Sequence, residues 1–139
     1  MSGCNIVVNV GSGDSGKECV AAAIASSTAT KKGLPQPKMP STHWINGFLQ
    51  THFRDFFEKN KRTLAQGFPY SALQALNLSN DYHLAVFNRE EPVGQSITNR
   101  LHCERREQEG STPITIVVDR AHAFACSYNT GEDYDFKDC

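Results

Sequence analysis

The chain has 139 residues, 39% hydrophobic and 21% charged, with 14 Lys and Arg against 15 Asp and Glu for a formal net charge of −1. Those proportions describe one domain, residues 1–139, with a single core, and they exclude a disordered or collagen-like chain. The near-neutral balance argues against a nucleic-acid partner, since neutralising phosphates takes a clear basic excess.

The first residues lack the basic segment and apolar run of a signal peptide. No window approaches the roughly 18 apolar residues needed to cross a bilayer. The expectation is a soluble, cytoplasmic protein with no membrane partner. Five cysteines, Cys4, Cys19, Cys103, Cys126 and Cys139, are odd in number and irregularly spaced, which fits reduced thiols.

In chain order, the β-branched residues of 5–10 predict a short strand, followed by a loop containing Gly11, Gly13 and Gly16. The alanine-rich stretch 17–25 predicts a helix that frays over 26–30 and stops at Gly33. Pro35, Pro37 and Pro40 make 34–40 a linker. Apolar residues at 44, 45, 48, 49, 53, 56 and 57 fall on one face of a single helix over 42–60, with Trp44 and the phenylalanines as core. A short helix is expected over 71–76 and a strand over 82–88. The charged segment 96–108, with only Ile97 and Leu101 apolar, predicts a surface helix. The most β-like stretch runs from Ile114 to Val118 and on through 122–128. Turn residues at 129–132 and alternation over 133–138 then make 122–138 a hairpin. With helices early and strands late, the fold class is α+β, an N-terminal helical part packed on a C-terminal antiparallel sheet.

Two chemical signals compete. Gly11, Gly13, Gly16 and Lys17 lie between a strand and a helix, in the spacing of a phosphate-binding loop. Glycines admit a phosphate to backbone N–H groups, and the helix N-terminus adds positive potential. Asp119, at the end of the strand that starts at Ile114, would hold the Mg²⁺ of a nucleotide. Glu18 stands where such loops carry a hydroxyl, and its carboxylate would repel the phosphates.

The second signal is a thiol and an imidazole. Cys19 sits at the start of the alanine-rich helix, where the helix N-terminus favours a thiolate nucleophile. His122 opens the hairpin, and Asp133, Asp135 and Asp138 lie on its returning strand. A carboxylate on a neighbouring strand would fix the imidazole tautomer while the other ring nitrogen faces the thiol. This arrangement calls for neither metal nor cofactor. For zinc, His122 and Cys126 lie four apart on one strand and share a face, with His102 and Cys103 as a second pair, but adjacent residues do not readily ligate one ion and no Cys-x-x-Cys occurs.

A cysteine opening a helix after a glycine loop, then helices, then His122 and Ala123 on a late strand with an acidic strand after it, resembles the papain-like cysteine peptidases. The stretch from His122 to Cys126, followed by Gly131 and by 134–138, is similar to the histidine hairpin of compact members such as picornaviral leader peptidases. The resemblance implies a papain-like fold, Cys19 as nucleophile, His122 as general base and then acid, and Asp138 as the orienting carboxylate, with Asp135 second. It implies a protein or peptide substrate, a peptidase, isopeptidase or amidase activity, and no cofactor. Val20 follows the cysteine where the family usually has an aromatic residue. Asn9 lies ten residues before Cys19, so Asn9 or Ser15 would complete the oxyanion hole. A third class, a non-catalytic viral or bacterial effector, is compatible with the same residues.

Overall fold

A run of small and apolar residues with no polar face has to be enclosed on all sides. In the computed structural model, which describes residues 5–7, 13–67, 72–73, 76–89, 100–103, 110–119, 122–127 and 135–137, that run forms α1 (Cys19–Lys32), buried without interruption from Val20 to Thr30. The segment 26–30, expected to fray, is therefore helical and interior. Packing overrides the weak propensity of its Ser and Thr residues. Thr28 donates its hydroxyl to Ile24 O at 2.7 Å, returning a buried polar group to the helix itself. Gly33, at φ +67°, closes the helix as a left-handed cap. Its N–H reaches Thr30 O and the next N–H, of Leu34, reaches Ala29 O at 2.8 Å.

On one side of α1 lie α2 (Thr42–His52) and α3 (Arg54–Gln66). The single helix expected over 42–60 is broken at Phe53, whose backbone (φ −138°, ψ 62°) belongs to neither helix. Phe53 N still bonds Leu49 O and Phe57 N bonds Phe53 O, so the break leaves these backbone groups satisfied. It re-aims the apolar face: α2 buries Ile45 and Leu49, and α3 buries Phe56, Phe57 and Leu64. Ser41 caps α2 by accepting from Trp44 N.

On the other side is a six-stranded sheet made of β1 (Asn5–Val7), β2 (Tyr82–Arg89), β3 (Arg100–Cys103), β4 (Thr112–Asp119), β5 (His122–Ser127) and β6 (Asp135–Lys137). The strand order is β1-β5-β4-β2-β3-β6. The sheet is mixed, not antiparallel as expected: β2 runs parallel to β4, and β3 parallel to β6. The chain is thus α+β, with its helices early and most of its strands late. Two local expectations are corrected. Residues 100–103 are a strand paired with β2, so the helix expected over 96–108 does not hold there. The segment 135–137 pairs with β3 and not with β5, so 122–138 is not a hairpin. Of the helix expected over 71–76, only 72, 73 and 76 lie among the described residues.

Alternation fixes the two sheet faces. Leu84, Val86, Ile114, Ile116, Val118, Ala123 and Ala125 join α1 in one core cluster. The intervening residues, His83, Ala85, Thr115, Val117, His122 and Phe124, belong to the opposite face. There His83 Nδ1 bonds Ser111 Oγ.

The C-terminal ends of α1 and α2 meet the start of β2. Lys32 Nζ donates to His52 Nδ1 at 3.2 Å and lies 4.9 Å from the centre of the Tyr82 ring, which Phe53 meets edge-on. Burial, with the Lys32 ammonium beside it, holds the His52 imidazole below its usual value of 6.5. The neutral ring is thus favoured by folding, and its contribution to stability is complete above pH 6.5 and lost as pH falls through the lowered native value. Thermal melting at pH 7.5 and 5.5 should therefore show wild type losing more stability on acidification than His52→Gln, and equal losses would refute the linkage. A second expectation concerns Ser26 Oγ, which is buried with no hydrogen-bond partner among the described residues. Ser26→Ala should raise stability by about 0.5–1 kcal/mol in urea unfolding, since it removes an unsatisfied hydroxyl and improves helix propensity.

Candidate functional site

The glycine loop is shaped by a carboxylate of its own. Glu18, immediately before α1, is buried, and its Oε2 accepts from Thr42 Oγ1 at 2.5 Å and from Ser15 Oγ at 3.2 Å. Asp14 and Thr42 exchange a reciprocal pair of bonds, Asp14 N to Thr42 Oγ1 at 2.9 Å and Thr42 N to Asp14 Oδ2 at 3.3 Å. The loop is thereby tied to the first residue of α2. Gly13, at φ +69°, lies directly against the Glu18 carboxylate, where a Cβ would overlap it.

These contacts bear on the phosphate-loop reading. Gly13 and Gly16 both have positive φ, as such a loop needs, and Lys17 is exposed. The anion at the centre of the loop is Glu18, a residue of the chain itself. A nucleotide fold of this kind would also set the first strand parallel and next to the strand ending in Asp119. Here β1 is antiparallel to β5 and separated from β4 by it. Gly11 lies outside the described residues.

For the thiol and imidazole, the course of α1 decides which end of the sheet carries what. Lys32, its last residue, touches Tyr82, the first residue of β2 and the register partner of Thr112 at the start of β4. Helix α1 runs along β5 and β4 for about 21 Å, which matches the strands' length. Its first residue, Cys19, therefore lies toward the opposite end, where β4 finishes at Asp119 and β5 begins at His122. Cys19 is a free, half-buried thiol packed against the core cluster.

The faces differ, however. His122 alternates with Ala123, which faces α1, and its ring lies edge-on to Phe124 with 4.6 Å between centres. The structure brings Cys19 and His122 to one end of the sheet but not to one face, and among the described residues no hydrogen bond joins them. Asp135 is further away. It opens β6 at the edge of the sheet, four strand spacings or roughly 19 Å from β5. It cannot orient His122, because the expected hairpin is replaced by pairing with β3. Asp138 and Asn9 lie outside the described residues. Asp119, considered above only as a magnesium ligand, is the register partner of His122. A cross-strand pairing of this kind could have been found by treating 114–119 and 122–127 as the hairpin. Among the described residues, no three His, Cys, Asp or Glu are grouped to hold a metal ion, and no helix is long and apolar enough to cross a membrane.

Comparison with protein families, with curated proteins and with solved structures finds no match to this chain.

The clasp around Glu18 yields a prediction. Gly13→Ala should destabilise the domain by about 1–3 kcal/mol, through left-handed backbone strain and displacement of the carboxylate. Lys17→Ala, at an exposed position, should stay within about 0.5 kcal/mol of wild type. Urea unfolding of both variants checks the contrast.

Proposed function

We propose that the protein is a papain-like thiol hydrolase that attacks an amide or peptide bond through Cys19. The observation that carries this reading is the position of that thiol, free and half-buried, heading a helix that is enclosed from Val20 to Thr30, at the end of the sheet where β5 starts with His122. The order of an early cysteine helix and a late histidine strand supports it.

In this mechanism Cys19 Sγ attacks the substrate carbonyl carbon while its proton passes to the imidazole of His122. The tetrahedral adduct collapses to a thioester as His122 protonates the departing amine, and water then releases the acid and restores the thiol. For the ring to reach the thiol it must leave Phe124 and swing round the start of β5, because alternation otherwise holds it on the other face. Catalytic hydrogen bonds often tighten only with substrate present. The proposed orienting carboxylate is Asp138, with Asp119 the alternative that the register of β4 and β5 favours. The substrate class is protein or peptide, and the compartment proposed is the reducing cytoplasm.

Mass spectrometry of iodoacetamide labelling at neutral pH, site by site, tests the pair. Cys19 should react faster than the other cysteines, and His122→Ala should slow it about tenfold or more. Labelling of Cys19 at the same rate in the variant would remove His122 from the mechanism. No difference between Cys19 and an ordinary thiol would remove the hydrolase reading itself.

A further inference from the structure

The hydroxyls of Ser15, Ser41 and Ser79 serve local structure: Ser15 donates to the Glu18 carboxylate, and the other two accept from Trp44 N and Tyr82 N. Ser111 has a different partner. Its Oγ is bonded to Nδ1 of His83, a ring wholly buried, while the serine itself is half-buried. An imidazole closed off from water is thus held against a residue that solvent reaches. The main chain fixes the pair: β2 and β4 run parallel with Tyr82 opposite Thr112 and His83 opposite Pro113, and Thr112 N donates to Asp81 O at 2.8 Å. Ser111 is therefore anchored where that ladder begins. Gly110 turns the chain into it at φ +83°, and among the described residues nothing lies within 4 Å of where a Cβ on Gly110 would stand, so the flank of the serine is open. The pair lies at the Lys32 and Tyr82 end of β2, on the sheet face away from α1, and so apart from Cys19.

We propose that Ser111 is a second nucleophile, an acyl acceptor for small activated esters, with His83 as its general base. In the neutral ring that carries its proton on Nε2, Nδ1 accepts the hydrogen bond of the hydroxyl. As Oγ bonds to the ester carbonyl carbon, the hydroxyl proton passes to Nδ1. The adduct then breaks its bond to the alcohol oxygen, and Nδ1 returns the proton to that oxygen. The products are an acyl serine and a free alcohol, and the ring ends as it began. The magnitude of the assistance sets the substrate class. General-base help of this kind is worth about 10²–10⁴-fold, which serves an ester with a good leaving group and falls far short of what an amide needs. The inference is independent of the proposed chemistry at Cys19, since it concerns the other end of the fold.

The test is treatment of the protein with p-nitrophenyl acetate, quenching in acid at timed intervals, and mapping of acetyl groups by peptide mass spectrometry. Ser79, exposed and without an imidazole partner, is the internal control. Ser111 should be acetylated about a hundredfold faster than Ser79. Its rate should rise with pH along one titration and then level off, as a neutral imidazole base requires, whereas an unassisted hydroxyl keeps gaining rate with hydroxide. His83→Gln should remove the advantage of Ser111 over Ser79. Circular dichroism checks that this variant folds, and if it does not, the wild-type pH profile decides alone. Iodoacetamide labelling of Cys19 should be unchanged in Ser111→Ala, so that failure of this proposal and failure of the hydrolase reading are told apart. Acetylation of Ser111 no faster than of Ser79, a rate that never levels off, or an advantage that persists in folded His83→Gln would overturn the proposal and leave the pair a structural hydrogen bond.

Discussion

Everything in this fold is arranged around the enclosure of α1. A helix exposed on one side can rest on a single layer, but one buried at every position from Val20 to Thr30 needs a sheet beneath it and helices above it. Small residues make this possible. Ala21, Ala22, Ala23, Ala25 and Ala29 are each nearly or fully inaccessible to solvent, and Ala123 and Ala125 of β5 are their counterparts in the same core. Small side chains on both elements let helix and strand backbones approach closely without steric conflict. The larger residues are displaced to the flanks, where Ile45, Leu49, Phe53 and Phe56 fill the space between α1 and the two helices above it.

An enclosed helix still has two polar ends, and each is secured by a different device. At its start, the Glu18 carboxylate gathers the hydroxyls of Ser15 and Thr42, and the Asp14–Thr42 pair carries the tie on to α2. At its finish, Lys32 spans the end of α2 through His52 and the start of β2 through Tyr82. The two clamps hold α2 alongside α1 at both ends and leave the break at Phe53 to turn α3 back. Gly13 is consequently part of a strut. Its positive φ brings the loop against a buried carboxylate where a Cβ would overlap, which is a demand for glycine as strict as any phosphate would make.

Much of this was legible in the residues. The β-branched run from Ile114 to Val118 announced β4, and the apolar and aromatic residues within 82–88 and 122–128 announced β2 and β5, because such side chains suit a half-buried pleated surface. The alanines announced α1. What could not be read was set by partners distant in sequence. Ser26, Ser27, Thr28 and Thr30 look like a fraying end until the sheet and α2 close over them. The apolar periodicity through Phe53 is continuous, and nothing in it marks the residue whose backbone leaves the helical range and divides α2 from α3. Residues 100–103 are a strand because β2 offers them an edge. Of the candidate site, Cys19 and His122 were nominated by chemistry, but the partner strand of β6, and with it the remoteness of Asp135, depended on sheet order that local sequence does not encode.

The same periodicity limits what the thiol can meet. Side chains on a strand alternate, so a shift of one residue moves a group from one face of the sheet to the other. An imidazole at 123 would face α1 directly, yet that position is fully buried against the helix at alanine spacing, and the larger ring would force the layers apart. A histidine can therefore serve a thiol at the head of α1 only from beyond the packed length of β5, at the end of the strand where the helix no longer covers it. His122, the first residue of β5, is at that end. Its ring rests on Phe124, the contact it exchanges for the thiol in the proposed chemistry.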